Sequence, residues 1–299
     1  MQNKLDYYLI GPISIDSEQL PGSAPRKFVG GALPFGAYAA LAGGRKVGAL
    51  ANMAASDHYL TDLLYLNNVS VVSSRQTTSF HNLYETADRE RRSVRAAAVC
   101  DAILAKDLPA VDALIYHLAG LSYGDFDHEL FPMLAQKGQL ACDLQGFLRH
   151  VIDDVLIYKD WPEKLTYIPY ITYLKADAAE AEVITGKSDR REAAEQLHQW
   201  GAKEIMITYK TDVLIYDGST FYTCPIRSRN FTGRSGRGDT TFASYITERI
   251  DHSIEEALFY ATSLVSLKME TPGPFKGTRA DVKRYQQECY SDYLQSDQR

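Results

Sequence analysis

The sequence predicts an α/β protein: a three-layer sandwich with a mostly parallel central sheet, helices on both faces, and a small β-sheet lid. Three observations carry that reading. Short apolar runs alternate with helical patterns along most of the 299 residues, a rhythm that belongs to sheets covered on both faces. Between Ser74 and Val99 the rhythm gives way to alternating, β-forming sequence around a charged tip. No repeat, low-complexity tract or linker divides the chain, so residues 1–299 read as one domain with lid segments at about 12–29 and 74–99.

The elements follow in order. Tyr7-Tyr8-Leu9-Ile10 is a short buried strand stopped by Gly11-Pro12. Gly30-Gly31 precedes an alanine-rich helix, Ala32 to Ala42, closed by Gly43-Gly44. Lys46 to Leu50 is a strand, Asp57 to Leu66 a helix, and Val69 to Ser73 extended. Thr77 to Tyr84 and Ser93 to Val99 are the arms of a hairpin, with Asp88 to Arg92 as its polar, solvated tip. The strand rhythm resumes with Ala113 to Tyr116, Gln139 to Asp143, Tyr170 to Leu174 and Glu204 to Thr208. Arg190 to Trp200 is a helix closed by Gly201. Asp217-Gly218 joins two β-forming runs, Val213 to Tyr216 and Thr220 to Tyr222, as a hairpin turn. Ile254 to Met269 is a helix ended by Pro272-Gly273-Pro274.

Composition excludes several classes of function. Hydrophobic residues at 45% and charged residues at 23% are a globular balance, not a disordered one. A net charge of −6 gives no footing for nucleic acid. Cys100, Cys142, Cys224 and Cys289 are widely spaced and read as reduced thiols of a cytoplasmic protein. No run approaches the ~20 apolar residues of a membrane span, and Met1 to Ile10 is too polar for a signal peptide. The seven histidines lack metal-ligand spacing.

The most informative stretch is Gly236-Arg237-Gly238-Asp239. Phe242, Tyr245, Ile246 and Ile250 then recur at helical spacing. A glycine-rich turn opening a helix offers unpaired N–H groups and a positive dipole end to an anion. An aspartate beside that anion can act as a general base. Taken alone, the tetrapeptide is also an ordinary turn with a helix cap. Other polar residues follow predicted strands, where ligands of open α/β sheets sit: Asp16, Asp143 and Gln145, Asp177 and Glu180, Thr208 and Lys210. Asp177-x-x-Glu180 reads equally as a capping box or as a carboxylate pair for Mg²⁺. Gly186-Lys187-Ser188 is no phosphate loop, because Ala181 stands where its first glycine belongs. Gly233-Arg234-Ser235-Gly236 lacks the spacing of a hydrolase elbow.

Nearly all of the chain resembles the PfkB carbohydrate kinase family, also called ribokinase-like. Gly236 to Asp239 resembles its C-terminal Gly-Ala-Gly-Asp signature, Gly30-Gly31 its N-terminal glycine pair, and Asp177-x-x-Glu180 its Asn-x-x-Glu motif. The resemblance implies a Rossmann-like sandwich and a kinase using ATP and Mg²⁺ on a hydroxyl of a small sugar or polyol. A nucleoside or inositol kinase of the same family is the alternative. It implies Asp239 as catalytic base and the N–H groups of Gly236, Arg237 and Gly238 as anion hole. Asp16, Gly30 and Gly31 would contact the acceptor, Thr208 and Lys210 the nucleotide, and Glu180 with Asp177 the metal. The lid would close over the acceptor and pair in a homodimer.

Four positions depart from the family pattern. Arg237 replaces a small residue and Asp177 an asparagine, Lys210 stands near a usual glycine of the nucleotide region, and Gly36 stands in for a sugar-binding asparagine. These changes keep open a second class, a PfkB-like binding protein without efficient catalysis. Asp143-Leu144-Gln145-Gly146-Phe147-Leu148-Arg149 resembles a variant of inositol-kinase-like members. There Gln145 would bind a polyol hydroxyl and Arg149 a phosphate; a plain strand-to-loop turn fits the same residues.

Overall fold

The computed structural model describes residues 4–86 and 92–296. In chain order the strands are β1 (Leu5–Pro12), β2 (Ser14–Gln19), β3 (Arg26–Gly30), β4 (Val47–Ala54), β5 (Val69–Ser74), β6 (Ser79–Tyr84), β7 (Arg92–Ala98), β8 (Ala113–Leu118), β9 (Gln139–Asp143), β10 (Arg149–Ile152), β11 (Val155–Tyr158), β12 (Tyr173–Asp177), β13 (Glu204–Thr208), β14 (Asp212–Tyr216) and β15 (Phe221–Pro225). The helices are α1 (Ala32–Ala42), α2 (Leu130–Lys137), α3 (Gln145–Leu148), α4 (Lys164–Tyr167), α5 (Ala178–Thr185), α6 (Arg190–Gln199), α7 (Arg237–Glu248), α8 (Ile254–Lys268), α9 (Arg279–Cys289) and α10 (Ser291–Ser296).

The large sheet runs β15-β14-β13-β12-β9-β8-β1-β4-β5. Its strands pair in parallel from β13 to β5, and only β14 and β15 turn antiparallel at one edge. Buried residues fall into two large clusters. Tyr7 and Leu9 of β1 join Phe242 and Ala37 in one, while Tyr8 and Ile10 join Phe131 and Leu197 in the other. Alternate residues of one strand thus feed opposite faces, as the period of two requires. The mostly parallel sheet between helical layers is as the sequence predicts.

The second sheet runs β10-β11-β7-β6-β2-β3. β2 and β3 from one expected lid segment and β6 and β7 from the other lie in it, but the sequence reading missed β10 and β11. Asp153 and Asp154 turn that hairpin with φ of 50° and 60°, and β11 pairs with β7 at Val155 and Arg95. The expected tip falls at residues 88–91, outside the described residues, and Arg92 already belongs to β7.

Two elements differ in kind or position. Asp57 to Leu66 is not an α-helix. A 3₁₀ segment spans Ala55–Leu64 and ends on Tyr65 at φ 53°, a left-handed stop that prevents further turns. The expected strand Tyr170 to Leu174 starts later, at Tyr173, and extends to Asp177. Pro169, without an N–H, opens a short 3₁₀ turn over Ile168–Tyr170. No helix among the described residues is long and apolar enough to cross a membrane.

Candidate active site

The two glycine motifs meet at the heads of α1 and α7. Gly236 caps α7 at φ 73°, and a Cβ there would lie 2.2 Å from the Phe35 ring in the first turns of α1. Gly31 caps α1 at φ 95°, where a Cβ would lie 3.0 Å from the Pro12 carbonyl oxygen. Both positions demand glycine on conformation and space together. Gly30 is flat for a different reason: a Cβ would fall 2.3 Å from Asp16 Oδ2. Asp16 itself lies in β2, and its Oδ1 accepts from Phe80 N–H at 3.0 Å.

Arg237, Gly238 and Asp239 form the first turn of α7. The Arg237 N–H donates to the Arg234 carbonyl at 3.2 Å, so it is engaged in a turn rather than free for an anion. The N–H groups of Gly236, Gly238 and Asp239 have no such partner among the described residues. They are the helix-terminal donors that anions use. The Arg237 guanidinium is partly buried, with no hydrogen bond or ion pair among the described residues. Burial and the neighbouring Arg234 push its pKa down, against a pull from Asp177.

Below this turn lies a charged cluster that sequence reading only partly found. Lys175 of β12 is buried, with Nζ 2.7 Å from Asp143 Oδ2 and 3.8 Å from Glu180 Oε2. A Cβ on Gly238 would sit 3.0 Å from the same Nζ, so the ammonium lies directly against the first turn of α7. Burial alone would lower the Lys175 pKa, but Asp143, Glu180, Asp239 and Asp177 outweigh it and raise it. Glu180 is buried as well, with Arg149 Nη2 at 3.9 Å, and desolvation lifts its pKa to about 7. Desolvation also lifts Asp239, held back by Lys175 and Arg149. A partly exposed base above its usual range, beside free amides, suits proton transfer from a hydroxyl.

Asp177 and Glu180 do form a capping box. Glu180 N–H donates to Asp177 Oδ1 and Asp177 N–H to Glu180 Oε2, each at 2.8 Å. Thr208 is buried at the end of β13 in register with Asp177. Lys210 lies beyond that strand end, exposed, with Nζ 5.7 Å from the Tyr209 ring centre. Gln145 opens α3; its Nε2 donates to the Gly120 carbonyl at 3.2 Å, and its N–H caps on Asp143 Oδ1 at 3.0 Å. Arg149 starts β10, and its Nε donates to Tyr158 Oη at 3.0 Å.

Gly36 requires correction. It faces the core, where a Cβ would meet Leu9 Cδ2 at 2.8 Å and Ala243 at 3.4 Å. The α1 residue that packs against Gly236 is Phe35. Lys175 and Lys268 were missed outright. Each is a charge at an apolar position: Lys175 pairs in register with Asp143 across β9 and β12, and Lys268 continues the buried α8 face of Ala261 and Leu264.

These features lie on a ribokinase-like fold. Residues 64–279 match the pfkB family of carbohydrate kinases, and the chain belongs to that family. A cytidine kinase of Thermococcus kodakarensis is 26% identical over 252 residues, covering 81% of this chain and 87% of that protein. A pyrophosphate-dependent kinase of the ribokinase family, solved with a pyrophosphate analogue and myo-inositol, superposes with a TM-score of 0.85 at 32% identity, covering 93% of this chain and 99% of that one. The ribokinase of Arabidopsis thaliana with ribose and ATP shares the fold at a TM-score of 0.71 and 15% identity, over 94% of this chain and 98% of that one. The enzyme is a kinase transferring phosphate to a hydroxyl group.

Proposed function

We propose that this kinase phosphorylates a hydroxyl of a small polyol, with Asp239 as base. The carrying observation is the partly exposed Asp239 carboxylate beside unengaged helix amides and above Lys175. The acceptor hydroxyl gives its proton to Asp239 as its oxygen bonds to the donor's terminal phosphorus. The bond from that phosphorus to the leaving oxygen breaks, and the leaving group keeps the electron pair. Amides of Gly236 and Gly238, with the Lys175 charge behind them, stabilise the transferring group. Asp16 and the Gln145 side-chain oxygen supply acceptors suited to polyol hydroxyls.

Among the described residues no group of three His, Cys, Asp or Glu forms a metal cage. Asp177 and Glu180 instead suit Mg²⁺ arriving on donor phosphates, since that ion keeps most of its waters and takes one or two carboxylates. Desolvation raises the Glu180 pKa, and Lys175 and Arg149 offset only part of that rise. Bound there, Mg²⁺ would neutralise donor phosphates.

ATP is the donor that the family resemblance implies. Arg237 favours pyrophosphate. It belongs to the first turn of α7, has no ion pair among the described residues, and feels the charge of Arg234. A donor with no base or ribose is recognised through phosphate charge alone, and a guanidinium such as that of Arg237 supplies it. The relative at 32% identity supports the same donor and an inositol acceptor. A cytoplasmic homodimer paired through the small sheet completes the proposal; light scattering in solution tests the dimer.

The test is transfer from pyrophosphate or ATP to myo-inositol, ribose and cytidine. We expect turnover on inositol, faster with pyrophosphate, and roughly 10²–10⁴-fold less in Asp239→Asn. Transfer to none of the acceptors from either donor would favour a binding protein and overturn the proposal.

A further inference from the structure

Lys268 ends α8 with no exposure to solvent. Its Nζ donates to the Gly233 carbonyl at 2.6 Å and also to the Ser235 carbonyl. It lies 4.9 Å from the centre of the Phe35 ring, the ring that packs against Gly236. No salt bridge among the described residues joins it to a carboxylate. Withdrawing an ammonium from water costs several kcal/mol. Carbonyl dipoles and an aromatic face offset part of that cost; the carbonyls belong to the segment leading into the anion-binding turn, and the ring belongs to α1. Gly233 is pinned from the other side too: its N–H donates to the Met269 carbonyl at 2.7 Å, and a Cβ would fall 1.9 Å from the Thr271 carbonyl oxygen. Burial pushes the Lys268 pKa down to about 8, with Asp239 pulling it back up, so the ammonium also feels the base.

We propose that Lys268 is a positioning residue: a tethered cation that holds the Gly233 and Ser235 carbonyls and thereby aims the amides of Gly236 and Gly238. This role rests on the phosphotransfer reading of the site. It has a chemical consequence. Shortening the side chain leaves two inward carbonyls and a ring face around an ammonium-sized space, which a free ammonium or potassium ion fits. Tetramethylammonium is too large to enter it. Methionine at 268 fills the same space without a charge and shuts a free ion out.

The experiment compares wild type, Lys268→Ala and Lys268→Met in potassium, ammonium or tetramethylammonium chloride at equal ionic strength. Turnover and pyrophosphate binding by calorimetry are read together, with thermal unfolding as a third measure. In tetramethylammonium we expect Lys268→Ala to lose roughly 10²-fold in turnover, the size of effect that misplacing reacting groups produces. Potassium or ammonium should restore most of that turnover, restore pyrophosphate binding and raise the variant's melting temperature. Lys268→Met should stay low in every salt, and wild type should change by less than about twofold, because its cation is built in. Wild-type turnover of Lys268→Ala in tetramethylammonium would overturn the proposal. So would folded Ala and Met variants that are equally impaired and blind to the cation. If wild type transfers phosphate to no acceptor, the phosphotransfer reading fails, while cation-dependent pyrophosphate binding and melting of Lys268→Ala still decide the role of Lys268.

Discussion

Lys175→Met probes the charge balance beneath the catalytic turn. Lys175 Nζ lies 2.7 Å from Asp143 Oδ2 and 3.8 Å from Glu180 Oε2, with all three side chains buried. Methionine keeps the length and removes the charge. Breaking a buried ion pair from one side costs about 3–5 kcal/mol, because the partner charge is left uncompensated. That loss depends on pH. The folded pKa of Glu180 is about 7, against 4.5 as its ordinary value. A carboxyl with a raised folded pKa binds its proton more tightly when folded, so its contribution is complete below pH 4.5 and is lost as pH rises through 7. Lys175 lowers the pKa of both Asp143 and Glu180, so both must rise further in the variant. Equilibrium urea unfolding should therefore show the full loss of about 3–5 kcal/mol at pH 8 and a smaller one at pH 5, where Glu180 is protonated. Equal losses at the two pH values, or none at pH 8, would refute the reasoning.

Other predictions concern neighbouring residues. Arg237→Ala should raise the pyrophosphate KM about tenfold or more, from the loss of a charge-assisted contact of about 1.5–3 kcal/mol; an unchanged donor KM in steady-state assays would remove Arg237 from the donor site. Gly36→Asn should lower stability by about 1–3 kcal/mol through overpacking against Leu9 and Ala243, without improving acceptor KM, as thermal unfolding and kinetics together will show. As the proposed base Asp239 must be unprotonated, and desolvation raises its pKa, so kcat should fall with decreasing pH at an acid limb above the ~3.9 of a free aspartate. A pH–rate profile flat to pH 4 would contradict that.

Much of this site was legible because its chemistry is local in sequence. Gly236 to Asp239 announces a turn and a helix start, and the glycine pair at 30–31 announces another. Asp177 and Glu180 revealed a capping box through their spacing alone. What escaped is tertiary. Lys175 and Lys268 look like misplaced charges until strand register and helix packing set them against Asp143, Gly238, Gly233 and Ser235. The β10–β11 hairpin escaped because Asp153-Asp154 lacks the usual glycine, although β-branched residues flank it and both aspartates take positive φ. Gly36 was read by resemblance to relatives, which cannot show that it faces Leu9 and Ala243 while Phe35 meets Gly236. Pro169 displaced a strand start by directing its own turn first.

The central claim is that Asp239 takes the acceptor's proton at an anion site built on α7. Asp239→Asn tests it most directly, since the amide keeps shape but cannot accept that proton. The account predicts an intact fold, pyrophosphate binding within about threefold of wild type, and turnover lower by roughly 10²–10⁴. Wild-type turnover in Asp239→Asn would contradict it.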